Sequence, residues 1–181
     1  MPRYIAFLRA INVGGHTVKM DHLRKLFEAL GFSNVETFIA SGNVIFESPE
    51  TNTRVLEEQI ERHLRQSLGY EVKTFIRTPS ELAAIAQYRP FPVDDRGDGE
   101  DALYIAFLPA APGSESRAKL MAFRSEIDDF DVHRREIYWR CRTRISTSTF
   151  SGARLEKAIG MPVTMRNSTT VRKLAAKYPD E

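Results

Sequence analysis

Two polar segments carry the side chains best suited to holding a ligand, and each follows a strand-like apolar run. After Tyr4-Ile5-Ala6-Phe7-Leu8 come Arg9, Asn12, the pair Gly14-Gly15, and Lys19. Glycines permit positive φ and let backbone N–H groups converge, while the positive end of an incoming helix favours an anion. Arg9 and Lys19 would flank that anion. The segment has neither the GxxxxGKS/T spacing of a phosphate loop nor GxGxxG, so a glycine pair turning a tight strand-to-helix corner also explains it. Near the other end, Val163-Thr164-Met165 leads into Arg166-Asn167-Ser168 at a helix entry. Asn167 or Ser168 suits a helix cap. Arg166 suits either a ligand's phosphate or carboxylate, or an ion pair with an acid. Ser41 and Asn43 lie in the turn cluster Ala-Ser-Gly-Asn.

A second constellation comes from alternation. Ile137, Trp139 and Cys141 fall on one face of a strand, and Tyr138, Arg140, Arg142 and Arg144 on the other. An aromatic ring among arginines on an open sheet is one way to hold single-stranded nucleic acid, by stacking and phosphate contacts. Asp129 and Asp131 lie on the expected partner strand, so cross-strand ion pairs are the competing explanation, and no RNA-module motif is present. His16, His22, His63 and His133 lack Cys or carboxylate partners at ligand spacing, so neither a metal nor another cofactor is expected. Ser41 and Ser151 have turn or cap duties, Cys141 reads as a core thiol, and no catalytic set is legible. Whether the protein is an enzyme stays open.

The elements that must position these groups recur. Strand Arg3 to Arg9, a helix through Leu23, Leu26, Phe27 and Leu30, a hairpin of 35–39 and 44–46, a helix through 55–68 and a strand over 71–77 give β-α-β-β-α-β. The five residues Tyr4 to Leu8 return as Tyr104 to Leu108. After them the same order reappears: a helix from Ala118 to Ile127, a hairpin of 130–133 and 137–141, a helix over 155–159 and a strand over 163–165. The expected fold class is α+β, with two ferredoxin-like split β-α-β units in tandem plus a C-terminal helix over 170–178. The expected division is 1–90 for the first unit with a trailing helix, 91–102 for a linker containing Asp-Asp-Arg-Gly-Asp-Gly-Glu-Asp, and 103–181 for the second unit.

At 181 residues, with 42% hydrophobic and 28% charged residues, the chain is long enough to bury a core and has the composition of a folded, soluble protein. No apolar stretch approaches the roughly 20 residues that cross a bilayer. The opening residues lack a signal peptide's apolar centre, and a single cysteine excludes an internal disulfide, so no membrane partner and a cytoplasmic setting are expected. The net charge of +2 conceals an asymmetry: ten acidic against four basic residues over 94–131, then eleven basic against two acidic over 132–178. Such a split fits an anionic partner, or blocks that neutralise one another within the fold.

Three motifs, Arg-Ala-Ile-Asn-Val-Gly-Gly, Phe-Ile-Ala-Ser-Gly-Asn-Val-Ile-Phe and Val-Thr-Met-Arg-Asn-Ser-Thr-Thr-Val-Arg-Lys-Leu, together resemble the bacterial family called domain of unknown function 1697. That family carries R-G-I-N-V-G-G after its first strand, Y-x-x-S-G-N-V-x-F at a hairpin and T-x-R-N-W-x-T-V-x-K-L near its end. The resemblance maps these onto Arg9, Ile11, Asn12, Val13, Gly14 and Gly15; onto Ser41, Gly42 and Asn43; and onto Thr164, Arg166, Asn167, Thr170, Val171, Lys173 and Leu174. Ala10 stands in place of a glycine and Ser168 in place of the tryptophan. The resemblance implies an α+β fold of ferredoxin-like units and supplies no activity. The motif residues Arg9, Asn12, Ser41, Asn43, Arg166 and Asn167 all fall at strand ends or turns. The resulting expectation is a cleft between the two units that binds a small phosphorylated or carboxylated ligand. The alternatives are single-strand binding through Tyr138, Arg140, Arg142 and Arg144, or polar networks that only lock loops in a structural or interaction protein.

Overall fold

The computed structural model describes residues 1–9, 11, 17–39, 42–91, 102–142 and 150–180. Its elements run β1 (Arg3–Leu8), α1 (Met20–Glu28), β2 (Ser33–Thr37), β3 (Asn43–Glu47), α2 (Thr53–Leu68), β4 (Thr74–Arg77), α3 (Pro79–Gln87), β5 (Ala102–Phe107), α4 (Ser114–Met121), β6 (Asp128–His133), β7 (Glu136–Cys141), α5 (Gly152–Ile159), β8 (Thr164–Asn167) and α6 (Ser168–Lys177). The fold is therefore mixed α+β, with two four-stranded sheets in the orders β2-β3-β1-β4 and β6-β7-β5-β8. Every pairing is antiparallel, and the two orders are the same once the second copy is renumbered from its own first strand. Among the described residues, no helix is long and apolar enough to cross a membrane.

Two compact units result. One comprises Met1–Ala83 together with Leu174–Glu181, the other Ala84–Lys173. In the first, alternate residues Tyr4, Ala6 and Leu8 of the central strand enter a core with Leu23 and Phe27 of α1 and Leu56, Ile60 and Leu64 of α2. In the second, Ala106 and Leu108 do the same with Leu120, Trp139, Phe150, Leu155 and Ile159, and Tyr104 packs against that core. The opposite faces of the two central strands, Ile5 and Phe7 in one and Ile105 and Phe107 in the other, are also buried. A strand covered on both faces must be apolar throughout, which is why the repeated segment reads as a continuous run without alternation.

Local chemistry sets the ends of the helices. Asn52 Oδ1 accepts from the amides of Arg54 and Val55 to cap α2, Ser151 Oγ accepts from Arg154 N to cap α5, and Thr78 and Glu81 exchange backbone and side-chain bonds at the start of α3. The helix expected to run to Ile127 stops at Met121 instead. Ser125 Oγ accepts from the amides of Ile127 and Asp128, and Ile127 O accepts from Arg142 N, so these residues turn into the sheet. Arg166 and Asn167, expected beyond the last strand, close it.

The edges receive specific treatment. β4 is an outer strand, and its outward amides are taken by α2: Glu57 Oε2 accepts from Ile76 N at 2.9 Å and Glu61 Oε1 from Thr74 N at 3.1 Å. At the second sheet's matching edge, Glu156 of α5 accepts from Val163 N at 2.9 Å. Carboxylates thus occupy donors that would otherwise be available to another strand.

The turn between β2 and β3 is held against the end of β1. Leu8 N donates to Gly42 O at 2.8 Å, and a Cβ on Gly42 would meet Ile11 Cγ2 at 2.6 Å and Leu8 Cβ at 3.1 Å. Gly42 also has φ +86°, the left-handed region.

Two predictions follow from these contacts. Glu57→Ala leaves the Ile76 amide without its acceptor and should lower stability by about 1–3 kcal/mol, whereas Glu58→Ala on the exposed side of the same helix should stay within about 0.5 kcal/mol. Urea denaturation of both variants checks this, and equal losses would refute the edge role. Gly42→Ala should cost about 1–3 kcal/mol more than Gly69→Ala by the same measurement. Gly69 shares the positive φ, at +84°, but has nothing within 4 Å of a built Cβ.

Candidate functional site

The last residues of β1 reach both neighbouring loops. Beyond the contact of Leu8 with Gly42, Arg9 N donates to Lys73 O at 2.9 Å, so Arg9 lies against the connection from α2 to β4. Tyr70 OH donates to Ile11 O at 3.5 Å from that same connection. Asn43, fully buried, donates from Nδ2 to Phe38 O at 2.9 Å, and its own carbonyl accepts from Phe38 N at 3.0 Å. This side chain pins the base of the hairpin. Ile39, just beyond, is 51% exposed and has φ +59°. A β-branched residue rarely adopts that conformation, so strain is held at the rim of this loop cluster.

Charge gathers at the same end. Lys73 Nζ lies 3.0 Å from Glu71 Oε1. The lysine holds the Glu71 carboxyl below its usual range, with Arg65 and Arg9 adding to the effect, and Glu71 in turn holds the Lys73 ammonium up against opposition from Arg9. Arg9, Arg65 and Lys73 therefore share a neighbourhood with the exposed Glu71, and Glu61 acts on Lys73 as a second carboxylate. Lys19, exposed at the N-cap of α1, makes no side-chain capping bond there. Asn12, Gly14, Gly15 and Ser41 lie outside the described residues.

Arg166 and Asn167 belong to the second unit and have local partners. Arg166 is 8% exposed and donates from Nη1 to Thr164 Oγ1 at 2.8 Å and to Met165 O at 2.9 Å. Burial pushes its guanidinium down to about 10, which leaves it charged at neutral pH. Asn167 Oδ1 accepts from the amides of Thr169 and Thr170, so Asn167 caps α6. The first unit has a counterpart that sequence reasoning overlooked. Arg77 is fully buried, donates from Nη1 to Ile76 O at 2.9 Å and pairs with Ile5, as Arg166 pairs with Ile105. The signal was present: Phe-Ile-Arg-Thr-Pro and Thr-Met-Arg-Asn-Ser each end a strand in an arginine, a capping residue and a helix.

The aromatic and basic strand face is occupied within its own unit. Tyr138 is 1% exposed with its ring 4.9 Å from Tyr88, and its hydroxyl has no hydrogen-bond partner among the described residues. Desolvation raises that phenol strongly. Arg140 lies 4.9 Å over the Phe91 ring and 3.9 Å from Asp129, its cross-strand partner. Arg142, half-buried, donates its amide to Ile127 O at 2.8 Å. Arg144 lies outside the described residues. Cys141 is fully buried. Among the described residues, no three His, Cys, Asp or Glu side chains gather as a metal site.

A conserved bacterial protein of Streptococcus pneumoniae, known by its structure, is similar over 97% of each chain, with a TM-score of 0.73 and 22% identity. That likeness supports the fold alone. No curated protein matches the chain. A family described as proteins of unknown function, DUF1697, matches residues 1–138. That span contains both glycine-bearing motifs and ends before Arg166. The chain belongs to the DUF1697 family.

Proposed function

We propose that this protein binds a small phosphorylated or carboxylated anion at the loop end of its first unit, beside Arg9 and Lys73. The observation that carries the reading is the Lys73–Glu71 pair at 3.0 Å on the exposed loop before β4, with Arg9 and Arg65 acting on the same carboxylate and Glu61 on the same lysine. An anion arriving there meets Arg9, Arg65 and Lys73 against the carboxylates of Glu71 and Glu61, and displacing Glu71 from Lys73 costs little because surface ion pairs are weak.

The second copy supports the assignment by contrast. There Pro109 follows Leu108 where Arg9 follows Leu8, and the connection from α5 to β8 reads Gly160-Met161-Pro162-Val163, with no charge. Features common to both copies are explained by architecture, and this cluster is peculiar to one. The matching strand orders support two ferredoxin-like split β-α-β units as the scaffold, and a sequence with one cysteine supports a cytoplasmic setting. Single-strand binding through Tyr138 and its neighbours has less support, since the ring is buried and Arg140 is engaged.

Thermal unfolding with inorganic phosphate, nucleotides, sugar phosphates, small carboxylates and short RNA and DNA strands tests the reading. A ligand that prefers the native state at a hundred times its Kd adds about 2.7 kcal/mol of stability. One class of small anion should raise the melting temperature, and Arg9→Ala or Lys73→Ala should abolish the rise while leaving the unliganded melting temperature within a degree or so, as for surface substitutions of about 0.5 kcal/mol. A rise that survives both substitutions, or one seen only with nucleic acid strands and lost with salt, overturns it.

A further inference from the structure

Both trailing helices end in a tyrosine, and the two tyrosines do the same thing. α3 runs into Tyr88 and α6 into Tyr178, each after an alanine-rich turn, Leu82-Ala83-Ala84 in one and Leu174-Ala175-Ala176 in the other. In the second unit, Tyr88 OH donates to Asp131 Oδ2 at 2.7 Å, on β6. In the first, Tyr178 OH donates to Glu36 Oε2 at 2.6 Å, on β2. β6 and β2 are equivalent outer strands in the two sheets. The bonds are short, as expected for a hydroxyl facing a carboxylate.

Each ring is also held. Tyr88 stacks on His133 at 4.1 Å and 12°, and Tyr178, 5% exposed, has the Arg3 guanidinium 5.7 Å and the Lys177 ammonium 5.5 Å from its centroid. The exchange is the informative part. α3 follows the last strand of the first sheet, yet Tyr88 belongs to the second unit; α6 follows the last strand of the second sheet, yet Tyr178 belongs to the first.

We propose that Tyr88 and Tyr178 are the two latches of one duplicated device, each fastening the tail of a trailing helix to the outer strand of the sheet that the helix did not follow. Release of either tail is then a local opening motion, and each latch protects a strand remote from it in sequence. This inference is independent of the anion reading.

Hydrogen exchange on the full chain tests it, with Tyr88 N donating to Ala84 O and Tyr178 N to Leu174 O as reporters of the two tails. Tyr178→Phe should speed exchange in 174–178 and in β2 by several-fold, up to about tenfold, and leave β6 unchanged; Tyr88→Phe should do so in 84–88 and β6 and leave β2 unchanged. Asp131→Asn and Glu36→Gln keep an acceptor and should give smaller increases in the same crossed pattern, which keeps the test open if a tyrosine variant folds poorly. Uniform acceleration across all elements, no change in either tail, or Tyr88→Phe acting on β2 in place of β6 overturns the proposal.

Discussion

Burial of the central strand on both faces is the constraint from which the rest of each unit follows. Tyr4 to Leu8 and Tyr104 to Leu108 give alternate side chains to a helix-covered core and to the opposite face, where Ile5, Phe7, Ile105 and Phe107 are all buried. Fully burying a side chain of this size stabilises by roughly 1.5–3 kcal/mol, so a polar residue anywhere in the run would forfeit a large part of a marginal total. Polarity is thereby expelled to the strand ends and sheet edges. Glu57, Glu61 and Glu156 guard the edges, and Arg9, Asn43 and Lys73 stand at the ends.

The buried arginines are the exception, and duplication makes them interpretable. Desolvating a guanidinium is expensive unless its donors are taken. Arg77 and Arg166 each sit on an outer strand opposite an isoleucine of the central strand, and each returns a bond to the carbonyl just before it. A site specific to one ligand would have no reason to appear in both copies at one register. The shared position argues for a role in closing the strand-to-helix corner, with Thr78 and Asn167 as the caps that follow.

Much of this was legible in the sequence, for a definite reason. Apolar runs and 3.6-residue spacing report local conformation, and they located the same six-element order in both copies. The spacing of Ala118 to Ile127 misled because Phe123 and Ile127 fit a helical stripe, while Ser125 turns the chain out of it. Asn43 looked available to a ligand because sequence cannot show a side chain turned inward onto Phe38 O. Periodicity also leaves unspecified which sheet a helix tail lies on, so the assignment of Leu174–Glu181 to the first unit had no sequence signature beyond the terminal tyrosine.

Two units with matching strand orders can be compared position by position, which separates what they share from what differs. Both units carry the tyrosine-alanine-leucine face of the central strand, an arginine near the end of the outer strand followed by a cap, and a tyrosine bound to an outer-strand carboxylate. Where the first unit has Arg9 and the Tyr70-Glu71-Val72-Lys73 connection, the second has Pro109 and an uncharged Met161-Pro162-Val163, and the first unit's hairpin carries a strained Ile39. Strain of that kind persists only where the surroundings enforce it. The concentration of these features at one end of the first unit is what distinguishes it from the second, which matches its strand order without them.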